Sequence, residues 1–148
     1  MRGKFKSGLM IAVTFALLTS SVSWAGENDA KYRRTVMSAL GSEFSAFVMV
    51  YTNKVDRPGQ LQPLADALAA TSATVDSLFP AGSEGGKALP LIWEEPGQVA
   101  EAAAELNEQL DALAAAVRSD DKAEIAGAFK AAGKACKGCH QRYKEEDD

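Results

Sequence analysis

Near its C-terminal end the chain carries Cys136-Lys137-Gly138-Cys139-His140, two thiols three residues apart with an imidazole directly after the second. On a helix, positions i, i+3 and i+4 share one face, so this spacing gathers all three groups on one stripe. The preceding residues continue that stripe. Ile125, Phe129, Ala132, Cys136, Cys139 and Tyr143 recur at steps of four and three, the period of an amphipathic helix. The fold must therefore contain a helix whose apolar face also bears the reactive groups. C-x-x-C-H is the attachment pattern of haem c: the thiols add across two vinyl groups and the imidazole binds the iron from one face. One haem c, bound covalently through Cys136 and Cys139 with His140 on the iron, is the expected cofactor.

Three other chemistries use such a pair. A zinc site needs about four ligands, and this chain has two cysteines and one histidine, so a carboxylate would have to complete it. A thioredoxin-like redox pair opens a helix after a strand in a βαβ unit, and no strand pattern precedes Cys136. A disulfide between i and i+3 of a regular helix has poor geometry. The adjacent His140 favours haem over all three.

Haem is attached to such thiols outside the bacterial cytoplasm, and the N-terminus is built for export. Arg2, Lys4 and Lys6 form a positive segment, residues 9–18 an apolar one, and Ser23-Trp24-Ala25 a small-residue cleavage signal. The apolar run is about half of the roughly 20 residues needed to span a bilayer. The expected organisation is a signal peptide over 1–25, removed after Ala25, and one domain over 26–148, located in the periplasm. Loss of three positive and no acidic residues takes the net charge from −4 to −7 (−4 − 3). That balance argues against nucleic acid or an anionic membrane as partner and favours a basic protein.

Helical periodicity continues through the rest of the chain, and no segment alternates as a strand. A first helix is expected over about 30–53, with Arg33, Met37, Leu40, Phe44, Phe47, Val48 and Tyr51 on one broad face, and Met49 packed in the core. Asp56-Arg57-Pro58-Gly59 breaks the chain. A second helix spans about 60–78, with Pro63 in its first turn and Leu64, Leu68, Val75 and Leu78 on its apolar side. The connection over 80–97 holds Gly82, Gly85, Gly86, Pro90 and Pro96, yet also Leu89, Leu91, Ile92 and Trp93, so it should pack down. A third helix begins at 96 or 97 and ends near 118. Ser119-Asp120-Asp121 supplies a turn and an N-cap for the haem helix, with Glu124 completing the cap, and the tail 144–148 is expected to fray. Four such helices bury their stripes most simply as an all-α antiparallel four-helix bundle, with the haem on the C-terminal helix.

At this level of detail the chain resembles the cytochromes c′ and the low-spin cytochromes c-556, the class II c-type cytochromes. Lys31-Tyr32-Arg33 followed by Met37, Gly82-Ser83-Glu84-Gly85-Gly86 leading to Ile92-Trp93, and Ala135 through His140 with Tyr143 carry the resemblance. It implies a periplasmic four-helix bundle, frequently a homodimer, for which an exposed face of helices one and two is the expected contact. It further implies that Cys136 and Cys139 anchor the haem and His140 is the proximal ligand. Arg33 would lie by the propionates, Ser83 with Glu84 by the haem edge, and Arg34 would be a further residue of the cofactor site. Arg34 stands where many members have glutamine and Ser83 where threonine is usual. Lys144 occupies a position near the proximal histidine that is commonly basic.

His140 is the only histidine, so a second imidazole ligand within one subunit is ruled out. Met37 and Met49 are the thioether candidates left after the leader, and the resemblance puts Met37 at the position facing the iron. There a methionine is either the sixth ligand or a steric guard. The reading favoured is a periplasmic electron-transfer protein, not an enzyme, with a five-coordinate iron able to bind nitric oxide behind Met37, Leu40 and Phe44. One alternative is a low-spin c-556-type carrier with Met37 as ligand, and another is a gas-sequestering module without a redox partner. A peroxidase would need distal acid–base groups, which these apolar residues do not supply.

Overall fold

The computed structural model describes residues 24–146. The expected leader lies outside them except for its last two residues, as do the two final aspartates. Five helices follow in order: α1 (Trp24–Tyr51), α2 (Leu61–Ser72), the single turn α3 (Leu91–Glu94), α4 (Pro96–Ser119) and α5 (Lys122–Tyr143). Among the described residues there is no strand, only a β-bridge between Ala88 and Lys144. The four long helices form the expected bundle.

Local chemistry explains most boundaries. Asp120 takes a left-handed conformation, φ 57°, that stops α4. Asp121 then caps α5, its carboxylate accepting from the amides of Ala123 and Glu124 at 2.7 and 3.0 Å. Glu124 does not close a capping box: the Asp121 amide donates to Ser119 Oγ at 3.4 Å, and the Glu124 carboxylate accepts from that hydroxyl at 2.8 Å. The expected second helix is interrupted after Ser72 and resumes as a 3₁₀ turn, Val75–Leu78. The hydroxyls of Ser72, Thr74 and Ser77 each take a carbonyl three residues back, at 2.8 Å. Such side chains compete with the helical ladder for the same acceptors.

Helix α1 is already formed at Trp24, six residues before the expected start. Gly26 there lies against the carbonyl of Gly82, so close that a Cβ would collide with it. This early turn is held by the glycine-rich loop, a contact no local periodicity reveals.

Adjacent helices close-pack as α1 on α2, α2 on α4 and α4 on α5. The core between them centres on Phe47, Leu68, Leu78, Leu110 and Leu113, all under 2 % exposed, each stabilising the fold by about 1.5–3 kcal/mol. The backbones of α1 and α5 do not close the ring in the same way. They meet through aromatics, Phe129 of α5 lying 5.3 Å from Phe44, 6.0 Å from Phe47 and 5.3 Å from Tyr51. Beyond that stack the two helices leave a gap.

Two expectations are corrected here. Met49 is not in the core; it is 45 % exposed, one of two large hydrophobic side chains so placed among the described residues. It lies between Phe47 and Val50 in the chain but off the stripe that buries both. The tail does not fray at Lys144, because the loop pairs with it. Leu89 N–H donates to the Tyr143 carbonyl and Glu145 N–H to the Lys87 carbonyl, both at 2.9 Å. As expected, the connection packs down: Ile92 is buried with Val99 and Tyr143 in a second apolar cluster, against Phe79, Trp93 and Cys139.

Candidate cofactor site

The gap between α1 and α5 is a cavity of about 820 Å³, within the roughly 300–1,000 Å³ range of small-molecule and cofactor sites. Cys136, Cys139 and His140 stand on its α5 wall, as the i, i+3, i+4 spacing requires. Across from them α1 contributes Met37, Leu40, Gly41 and Phe44, while Leu68, Val75 and Phe79 and the α4 residues Val99, Ala103, Leu106 and Leu110 complete a mainly apolar lining. Gly133 and Gly41 keep the walls thin: a Cβ at Gly133 would reach only the tip of Phe44, at 4.0 Å, and one at Gly41 would meet nothing within 4 Å.

Both cysteines are half-buried, and they do not form a disulfide with each other. Burial pushes both thiols above their ordinary value, the neighbouring Cys136 adding to the effect at Cys139. Among the described residues no group of three or more His, Cys, Asp or Glu side chains could hold a metal ion, which leaves the zinc alternative without a ligand set. A planar apolar group bearing two thiol-reactive arms and a metal that takes nitrogen fits this donor set.

The residues expected at the cofactor's edge divide. Met37 is half-buried on the cavity wall. Arg33, Arg34, Ser83 and Glu84 are not among the lining residues. Arg33, 4 % exposed, instead ties down the loop: Nη1 donates to the Leu78 carbonyl at 3.3 Å and Ser83 Oγ at 3.1 Å, and Nη2 to the Gly85 carbonyl at 2.9 Å. Its guanidinium lies over the rings of Phe79 and Trp93, 5.5 and 5.3 Å from their centroids. Burial lowers its pKa, and the charge of Arg34 lowers it further. Ser83 is fully buried, and its hydroxyl donates to the Pro80 carbonyl at 2.7 Å, which also accepts from Trp93 Nε1 at 3.1 Å. Arg34 is exposed and rests on Gly86, where a Cβ would lie 3.2 Å from its Nη1; φ there is +67°, so glycine is needed twice over. Glu84 is exposed, and its carboxylate accepts from the Gly82 amide at 3.4 Å.

One functional group was not foreseen. Glu95, immediately before α4, receives a two-pronged contact from Arg142, with Nε to Oε2 at 3.0 Å and Nη2 to Oε1 and Oε2 at 2.8 and 2.7 Å. It also accepts from Tyr143 Oη at 2.9 Å. These hydrogen bonds, Arg142 first, hold the Glu95 carboxyl below its ordinary range. Burial, and then the hydrogen bond to Glu95, push the Tyr143 phenol up. Glu95 and the loop pairing thus grip the turn that follows His140. The only sequence signals were an acidic residue before Pro96 and a basic–aromatic pair after the motif.

Comparison with known proteins agrees with this geometry. The family model described as Cytochrome C′ matches residues 28–144. The chain is 29 % identical to the cytochrome c′ of Rhodospirillum rubrum over 146 residues, covering 95 % of this chain and 99 % of that one. It is also 29 % identical to the cytochrome c-556 of Agrobacterium fabrum over 137 residues, 90 % of this chain and 91 % of that one. Among solved structures it superposes on a ferrous variant of cytochrome c prime from Alcaligenes xylosoxidans with bound nitric oxide, at a TM-score of 0.76 and 27 % identity, covering 82 % of this chain and 97 % of that one.

Proposed function

The chain belongs to the cytochrome c′ family of c-type cytochromes, and from that premise we propose that it is a periplasmic electron-transfer protein whose haem iron is five-coordinate and open to nitric oxide. Haem c is the cofactor; when bound it would supply a redox-active iron able to take a small ligand. Cys136 and Cys139 would hold it through thioethers, and His140 would give a nitrogen to the iron. Met37, Leu40 and Phe44 form the opposite wall, exclude water and limit what can approach. No distal acid–base group is present on that wall, so the protein is read as a carrier and gas binder and not as an enzyme.

The observation that carries this reading is the apolar α1 wall facing His140 in a chain with a single histidine. A solved relative from Alcaligenes xylosoxidans holds nitric oxide, which supports the same ligand here. Met37 lies on that wall too, and this favours one second reading, a c-556-type carrier with Met37 on the iron. The absorption spectrum of the ferric holoprotein separates them. A high-spin spectrum that shifts on adding nitric oxide is expected, whereas a low-spin spectrum with a methionine–iron charge-transfer band would replace it with the second reading. Met37→Ala should speed nitric oxide binding if Met37 is a guard and abolish the low-spin signature if it is a ligand. We further propose that residues 1–25 are removed on export and that the protein pairs as a homodimer, to be checked by mass and by sedimentation of the secreted protein.

A further inference from the structure

Charge on this acidic protein is segregated by helix. Helix α4 carries Glu101, Glu105, Glu108 and Asp111 against one basic residue, Arg118, and α5 carries Lys122, Lys130, Lys134, Lys137 and Arg142 against one carboxylate, Glu124. Lys130, Lys134 and Lys137 follow one another at steps of four and three, so they form a single stripe on the side of α5 opposite its buried face. All three are exposed, and none is paired with a carboxylate among the described residues. Lys137 lies inside the C-x-x-C-H motif and on the rim of the cavity. The α1 residues on the cavity wall, Met37, Leu40, Gly41 and Phe44, carry no charge. The tail carboxylates Glu145 and Glu146 reach the rim beside Lys144, but Lys134 is about 15 Å further back along the helix.

We propose that the Lys130–Lys134–Lys137 stripe is the docking surface for an acidic redox protein, which it brings to the thioether edge of the haem. This rests on the electron-transfer reading above. The net charge alone favours a basic partner. However, three unpaired like charges running along α5 to the cavity rim at Lys137 dominate the field there, because more distant charges are screened over about 8–10 Å. A protein fits better than a lipid surface. The stripe is flanked by small and polar residues, and the two large hydrophobic side chains exposed among the described residues, Tyr32 and Met49, are on α1, so nothing here would insert into a bilayer.

The test uses the reduced holoprotein and two one-electron oxidants, anionic hexacyanoferrate(III) and cationic tris(phenanthroline)cobalt(III), each taking one electron per protein. Net charge and the local stripe predict opposite signs. If the stripe governs approach, raising ionic strength slows hexacyanoferrate(III) and quickens the cobalt complex. Lys130→Glu with Lys134→Glu should lower the hexacyanoferrate(III) rate about tenfold at low salt, while Glu101→Gln with Glu105→Gln on α4 leaves it unchanged. Labelled polyglutamate, followed by anisotropy, should bind the wild type and not the Lys variant, a readout independent of electron transfer. Hexacyanoferrate(III) oxidation that quickens with salt, or a charge reversal without effect on rate and binding, would overturn the inference. So would salt-sensitive sedimentation with anionic lipid vesicles that the Lys variant loses, which would reassign the stripe to a membrane. Polyglutamate binding with no reaction towards either oxidant would sink the electron-transfer reading and leave the acidic-protein surface standing.

Discussion

Arg33 Nη1 donates to Ser83 Oγ at 3.1 Å, joining the first helix to the glycine-rich loop across fifty positions of chain. The same guanidinium holds two backbone carbonyls and lies over two aromatic rings, so the loop over 79–93 is organised around one buried cation. Arg33→Leu leaves the carbonyls of Leu78 and Gly85 without this donor and should cost about 2–3 kcal/mol in urea unfolding, with a change in Trp93 emission as the guanidinium leaves its ring. A cost within about 0.5 kcal/mol, the range of ordinary surface changes, would mean that the loop holds itself.

Glu95 makes the last turn of the haem helix sensitive to acid. Its folded-state pKa lies below the ordinary 4.5 because Arg142 and Tyr143 donate to the charged form. A depressed carboxyl contributes stability that is present above its unfolded value and is lost as pH falls through the folded one. The wild type should therefore lose stability from about pH 4.5 downwards more steeply than Glu95→Gln, measured as the urea midpoint against pH. Tyr143 acts in the other direction: its raised pKa gives stability that is present below its unfolded value near 10 and lost as pH rises through the folded value. Parallel acid limbs in the two proteins would show that the carboxylate is not coupled to folding.

The parts of this arrangement that could be read along the chain are those set by short-range period and capping. The stripe from Ile125 to Tyr143, the Asp121 cap and the break at Pro58 follow from residues a few positions apart, and the cofactor motif lies on one such stripe. Contacts between residues far apart in sequence were not legible. Arg33 suits a propionate as well as it suits Ser83 until the loop's path is known, and nothing local pairs Glu95 with Arg142 or Lys87 with Glu145. Met49 shows the same limit from the opposite side, since its hydrophobicity favoured burial while its phase on α1 points it outwards. The cavity between α1 and α5 draws its lining from α1, α2, α4 and α5 together, and no single helix reports that.

Attachment through two thioethers implies graded loss. Cys136→Ala or Cys139→Ala alone should still leave haem on the polypeptide after denaturing electrophoresis, through the remaining thioether, whereas the double variant should lose it to acid extraction. The double variant without haem should also melt at a lower temperature than the holoprotein, because a ligand that binds only the folded state stabilises it. Haem retained on the denatured double variant would mean that another side chain carries it.

Phe129 is where α1 and α5 meet, and its removal should affect stability and site together. Its ring stacks on Phe44 at 5.3 Å with an interplanar angle of 10° and touches Phe47 and Tyr51. Truncating a buried phenylalanine costs about 3–5 kcal/mol, and partial exposure of Phe129 puts Phe129→Ala near about 3 kcal/mol. Phe44 also lines the cavity, so loss of its stacking partner should loosen the distal wall and speed the binding of nitric oxide to the reduced protein. Phe129→Leu, which keeps most of the volume, should recover most of the stability but not the flat stacking contact with Phe44. If gas binding in Phe129→Leu matches the wild type while Phe129→Ala is fast, volume at this position is what holds the wall. If both are fast, the stacking geometry holds it, and unchanged rates in both would place control of access with Met37 and Leu40 instead.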